Sequence, residues 1–168
     1  MMERVLSWTF ALMLAALLFA VGLQKFIGLD PNPVFGLIEA RSGLGFFEPG
    51  LRYVTGVLEM AAVLLALWPA TRIRGAQLGL VVAVGAIGFH LSPWLGVQLP
   101  HLQELSAALA QGRTPDEIAA MNLPTDKGTM FLLAIAIAAT AVVSIIVERA
   151  KAKAERSPKV RRPMGALA

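Results

Sequence analysis

Cysteine is absent from the 168 residues. That excludes a self-contained thiol–disulfide chemistry and any thiolate metal site. Charge is scarce too, with 15% charged residues against 57% hydrophobic ones. A soluble domain of this length needs more charge to cover its surface, so lipid is the expected solvent for most of it. Histidine occurs twice, as His90 and His101, and no cluster of carboxylates accompanies either. A catalytic zinc, a di-iron site and a haem held by paired histidines across helices are therefore excluded. No Ser/His/Asp set, phosphate-cradling glycine loop, internal repeat or low-complexity tract is present.

What is present is long apolar runs. Crossing ~30 Å of hydrocarbon at ~1.5 Å per residue takes about 20 mostly apolar residues. Four segments satisfy this, at about 5–27, 51–68, 75–97 and 129–147. A signal peptide is the alternative for the first. Against it, the apolar run 5–23 exceeds a usual signal core, and Leu18 stands where a cut after Ala20 needs a small residue. The expected fold is all-α, an integral-membrane four-helix bundle over residues 1–148, followed by a basic, disordered tail at 149–168.

The basic residues set an orientation. Of fifteen Lys and Arg residues, seven lie in the tail: Arg149, Lys151, Lys153, Arg156, Lys159, Arg161 and Arg162. Arg4 precedes the first span, and Arg72 and Arg74 lie in the short turn between the second and third. The two long loops carry the acids instead: Asp30, Glu39 and Glu48 in one, Glu104, Asp116, Glu117 and Asp126 in the other. The positive-inside rule then places both termini in the cytoplasm of a bacterial inner-membrane protein, with the acidic loops outside. The net charge of +4 reads as contact with anionic lipid. No aromatic interleaving points to nucleic acid. Within the loops, Asp30-Pro31-Asn32-Pro33 followed by apolar residues marks a short helix over 34–38. Thr114-Pro115-Asp116-Glu117 is a helix start with cap, proline and capping acid in order, predicting a helix over about 115–121.

Ionisable residues inside a span cost roughly 2.5–3.5 kcal/mol on insertion scales, so each needs an explanation. Lys25 closes the first span, Arg52 opens the second, Glu59 lies inside the second and His90 inside the third. Counted from the outer ends of those spans, Glu59 and His90 lie at a similar depth, ~10–12 Å in. Helical phase gathers Gly75, Gly79, Ala83, Ala86 and His90 on one stripe. Arg52, Gly56, Glu59 and Val63 share another stripe, and Ser7, Ala11, Leu18, Gly22 and Lys25 a third. Turning the three faces together makes Lys25, Arg52, Glu59 and His90 one polar cluster in the outer half, above a cytoplasmic half without polar residues. Other roles remain open: headgroup snorkelling for Lys25 and Arg52, an ion pair fixing register for Glu59, a backbone hydrogen bond for His90. Tyr53, Trp68, Trp94 and more weakly Trp8 read as interface anchors.

At these residues the chain resembles the DoxX-like family of small four-helix membrane proteins, which takes in relatives of the DoxD subunit of thiosulfate:quinone oxidoreductase. The segments that carry the likeness are Phe19-Ala20-Val21-Gly22-Leu23-Gln24-Lys25-Phe26, Tyr53-Val54-Thr55-Gly56-Val57-Leu58-Glu59 and Gly85-Ala86-Ile87-Gly88-Phe89-His90. With the four-span layout the resemblance covers about residues 5–148, and the second outer loop is longer than in the shortest members. It implies a membrane subunit of a redox complex, with quinone as the candidate ligand. Glu59 and His90 would be its hydrogen-bonding pair, and Lys25 and Arg52 would set their charge. No catalytic residue is assigned. The alternative is a non-catalytic assembly protein whose polar cluster only fixes helix packing. Stripes of small residues permit a homo-oligomer without requiring one.

Overall fold

The computed structural model describes residues 2–156. Helices are the regular elements there, with no strand among the described residues and one isolated bridge between Pro100 and Thr125. In chain order they are α1 (Met2–Ile27), α2 (Pro33–Ser42), α3 (Arg52–Leu67), α4 (Arg72–Leu91), α5 (Leu102–Ala110), α6 (Pro115–Ala120) and α7 (Thr129–Arg156). A π-helical turn, Phe47–Leu51, leads into α3. Four helices, counting that turn with α3, are long and apolar enough to cross a membrane, as the composition requires.

Two boundaries differ from expectation. The third long helix stops at Leu91 rather than near residue 97. Pro93 pushes the residue before it out of the helical region, and Ser92 is extended, with φ −83 and ψ 160. Its hydroxyl donates to the Phe89 carbonyl at 2.6 Å. His90 therefore sits in the last turn of its helix rather than two turns inside it. The fourth helix runs past 147 to Arg156, so the first part of the expected disordered tail is helical. Residues 157–168 lie outside the described residues.

α1 packs on α3 and α7, and α4 packs on the same two. The shared core is Leu14, Leu18, Ala62, Val63, Ala76, Ala83, Ile137 and Ala141. Lipid offers apolar side chains as good a solvent as a neighbouring helix, so close approach and dispersion must hold such a bundle. Gly75 shows this. A Cβ there would lie 2.3 Å from the Ala66 backbone nitrogen, so α3 and α4 touch backbone to backbone at their connecting turn. Ser7, Ala11, Leu18 and Gly22 of α1, Gly56, Glu59 and Val63 of α3, and Gly75, Gly79 and Ala83 of α4 are all buried, as helical phase predicts. Large apolar side chains such as Leu64, Val81, Leu132 and Ile146 face outward.

At the end away from the Trp68–Thr71 turn, the two long loops fold into a cap. Asn32 starts α2 by accepting from Val34 and Phe35 backbone N–H groups at 3.0 and 3.3 Å, with Pro33 in the first turn. Gly43, at φ 72, ends it. The Thr114–Glu117 capping box starts α6 as the sequence predicts. α5 was not foreseen. Together α2, α5, α6 and the π-helical turn bury a second core of Leu37, Ile38, Phe47, Leu95, Leu99, Leu105 and Ile118. Ser106 donates to the Pro31 carbonyl at 2.8 Å, and Arg41 to the carbonyls of Trp94 and Leu95 at 3.3 Å each, tying the two loops together.

Candidate functional site

Beneath the cap, the four long helices enclose a cavity of about 720 Å³. That is within the range of small-molecule sites. Its wall is largely aliphatic, with Leu18, Val21, Ala83, Leu133 and Ile137 at depth, and Phe35, Ile38 and Phe89 toward the cap. The polar groups on it converge from several elements: Gln24 and Lys25 from α1, Glu59 from α3, His90 from α4, and Asp126 just before α7.

Lys25 and Glu59 form an ion pair between α1 and α3, with Nζ at 2.8 and 2.7 Å from the two carboxylate oxygens. Gly22 makes the approach possible. A Cβ there would lie 3.0 Å from the Glu59 Cβ and 2.4 Å from the Met60 Cε. The pair is largely buried, with side-chain exposures of 13% and 6%. A third donor position of Lys25 is taken by the Val21 carbonyl at 3.3 Å.

His90 does not bond to Glu59. Its Nδ1 lies 2.8 Å from the Gly96 carbonyl oxygen, an atom that can only accept, so Nδ1 carries the proton. Gly96 reaches this position with φ +87, a conformation open to glycine. In the neutral ring Nε2 is then a hydrogen-bond acceptor. Phe131 holds the ring edge-on at 5.6 Å.

Asp126 fastens the cap to α7. Its Oδ1 accepts from the Leu99 and Gly128 backbone N–H groups at 2.9 Å each, and its Oδ2 from Met130 at 3.0 Å. Burial alone would raise its pKa. The Met130, Leu99 and Gly128 N–H groups, with His90 when charged, outweigh that and hold the carboxyl below its ordinary value.

Arg52 belongs elsewhere. It is buried, but it does not line the cavity and does not touch Glu59. Its guanidinium bonds to Glu48, to Asp30 at 3.0 Å, to the Tyr53 hydroxyl at 3.1 Å and, through Nε, to the Lys25 carbonyl at 2.8 Å. It also stacks on Tyr53 at 4.7 Å. Arg52 thus clamps the cap to the ends of α1 and α3. Of the four expected site residues, Lys25, Glu59 and His90 share the cavity and Arg52 stands outside it. His101 is exposed at the start of α5, on the cavity rim.

The opposite end of the bundle is not bland. Arg72, 1% exposed, bonds through Nη1 to Glu148 of α7 at 3.1 Å and to the Ser7 hydroxyl of α1, and through Nε to the Ala66 carbonyl at 3.0 Å. Ser7 in turn donates to Glu148, and Trp8 covers the guanidinium at 4.2 Å. The Arg72 Nη2 group has no hydrogen-bond partner among the described residues. The sequence held a signal for this cluster: Arg72 continues the Gly75–Gly79–Ala83 stripe backward, and Glu148 is an isolated acid at the head of a basic run. Spans drawn from 75 and to 147 excluded both.

Among the described residues no group of His, Asp and Glu is arranged to hold a metal ion. No protein-family model, curated protein or solved structure matches the chain.

Proposed function

We propose that this chain is a multi-pass protein of the bacterial cytoplasmic membrane, DoxX-like, with both termini in the cytoplasm. In this reading it binds a quinone-like amphiphile in the cavity beneath its outer cap and serves as the membrane subunit of a redox complex. The observation that carries this is a large, apolar-walled cavity with a buried Lys25–Glu59 pair and His90 on its surface. Such a wall accepts a hydrophobic ring, and a few placed polar groups orient its oxygens. Neutral His90 offers Nε2 to a hydroxyl, as on a quinol, and protonated His90 donates to a carbonyl. The Gln24 amide can do either.

The second reading is a structural protein in which Lys25–Glu59 only locks α1 to α3. The geometry that favours it is that Lys25 already engages both Glu59 oxygens. The two readings separate on purification from native membranes in mild detergent, with mass spectrometry of co-purifying lipophilic molecules and proteins. Stoichiometric quinone or a redox subunit, lost in a well-folded Glu59→Gln variant, supports the binding site. A wild-type protein carrying only bulk lipid overturns it in favour of helix locking.

A further inference from the structure

The cavity's exposed wall residues differ in chemistry between its two ends. At the cap end the rim carries the polar side chains Gln24, His101 and Gln103 beside one exposed apolar residue, Leu29. Part-way down the bundle it is apolar, made by Leu58 of α3 and Val81 and Gly85 of α4, with Leu58 38% and Val81 68% exposed. Helical phase puts Leu58 and Thr55 on the same side of α3 as Ala62 and Ala66, the side that meets α4. α3 and α4 are thus in backbone contact at Gly75–Ala66 near their turn, and toward the cap the cleft between them is cavity.

Depth decides what passes there. Gly85 and Val81 lie six and ten residues before the end of α4 at Leu91, roughly 9 and 15 Å below it at 1.5 Å per residue. With the four helices in a bilayer, that level is hydrocarbon, which admits only a molecule already dissolved in the membrane. The α1–α3 side is shut at the same level. A Cβ on Gly56 would lie 2.9 Å from the Phe26 ring, and Gly22 is closed against Met60.

Building on the amphiphile-binding reading above, the geometry points to a lateral portal between α3 and α4. Its occupant is a long-chain isoprenoid amphiphile whose head lies by Lys25, Glu59 and His90 and whose chain leaves through the Leu58–Gly85 gap into the bilayer. His90 lies above the apolar rim at the end of α4, and Glu59 turns to Lys25 of α1 rather than toward α4, so the molecule's polarity gradient matches the wall's.

Two glycines allow a matched test. Gly85 lines the cavity and Gly88 does not, both are exposed on α4, and a Cβ on either meets nothing within 4 Å. The full chain, reconstituted in phosphatidylcholine–phosphatidylglycerol vesicles, is titrated with a long-tailed ubiquinone and with its tail-less benzoquinone ring. Gly85→Trp is expected to weaken the tailed probe by about tenfold or more, the equivalent of roughly 1.4 kcal/mol. Equilibrium binding of the ring is expected to be unchanged, and Gly88→Trp should alter neither. Leu58→Ala, which widens the gap from the other helix, should speed uptake of the tailed probe. Ring binding that Glu59→Gln weakens, together with equal behaviour of Gly85→Trp and Gly88→Trp, overturns the portal and leaves the binding site standing. A wild-type protein that binds neither probe overturns both.

Discussion

Each end of this bundle buries a cation against a glutamate, yet the two pairs sit in opposite surroundings. Arg72–Glu148 lies where α3 and α4 touch backbone to backbone, with the Arg72 guanidinium buried beneath Trp8 and bonded to Ser7, and with Glu148 also 3.8 Å from Lys151 beside a small pocket of about 180 Å³. Lys25–Glu59 lies where the helices part around a cavity. A guanidinium buried as fully as that of Arg72 has only its partners to offset desolvation, so the pair acts as a fastener. A pair on a cavity wall keeps access to water or a ligand. The same residue chemistry is structural at one end and available at the other, and the difference is set by whether the large cavity adjoins the pair.

Making the same change at both ends breaks the comparison most sharply. Glu148→Gln leaves the Arg72 guanidinium buried without its counter-charge and should cost about 3–5 kcal/mol, read as a large drop in thermal unfolding temperature. Replacing both partners by apolar residues, as Arg72→Met with Glu148→Leu, should recover most of it. A single Glu148→Gln variant as stable as wild type would show that Arg72 does not depend on that counter-charge. Gly75→Ala comes next. Its methyl must push the Ala66 backbone away, so about 1–3 kcal/mol of overpacking is expected, with an unchanged melting curve as the contrary result.

The fold was legible wherever hydropathy and helical phase carry the information. Four long helices, their buried stripes, the α6 capping box and the pairing of Lys25 with a carboxylate of α3 all follow from residue order. What failed depended on contacts distant in sequence or on a boundary. Hydropathy carries the third span through Pro93, which sets His90 at the depth of Glu59; of the roles open to His90, the backbone hydrogen bond, to the Gly96 carbonyl, is the one found. Arg52 was assigned to the cluster because it shares a helix face with Glu59. Helical phase does not show that Asp30 and Glu48 fold back to claim its guanidinium. Arg72 and Glu148 were missed because both lie just outside segments chosen for being apolar. α5 lacks a side-chain cap, and its apolar residues find their partners in α2 and the rest of the cap core, far away in sequence.

At the cavity end, Glu59→Gln should be milder for stability than Glu148→Gln, about 1–3 kcal/mol, because the amide still accepts from Lys25 and the cavity has room for water. Its larger effect should be on occupancy of the cavity, whereas Glu148→Gln should leave ligand retention per folded protein unchanged. Measuring both variants by thermal unfolding and by extraction of bound lipophiles gives a crossed result if the ends differ as described. Equal ratios of stability loss to ligand loss would sink the distinction.

The smallest effect belongs to Asp126, which joins the cap to α7 at the cavity's edge. Its folded pKa is lowered, so its contribution is fully present above the unfolded value of about 4 and is lost as pH falls through the folded value below that. Asp126→Asn keeps one carbonyl oxygen for Leu99 and Gly128 but loses the second oxygen that Met130 uses. The cost at neutral pH should be about 1 kcal/mol or less. The sharper signature is in the slope: unfolding temperature should fall more steeply with acid below about pH 4 in wild type than in Asp126→Asn, the two curves converging at low pH. Parallel curves would mean that the cap is held by its apolar core of Leu37, Leu99 and Leu105 without help from the carboxylate. The lid over the cavity would then be indifferent to pH through this residue.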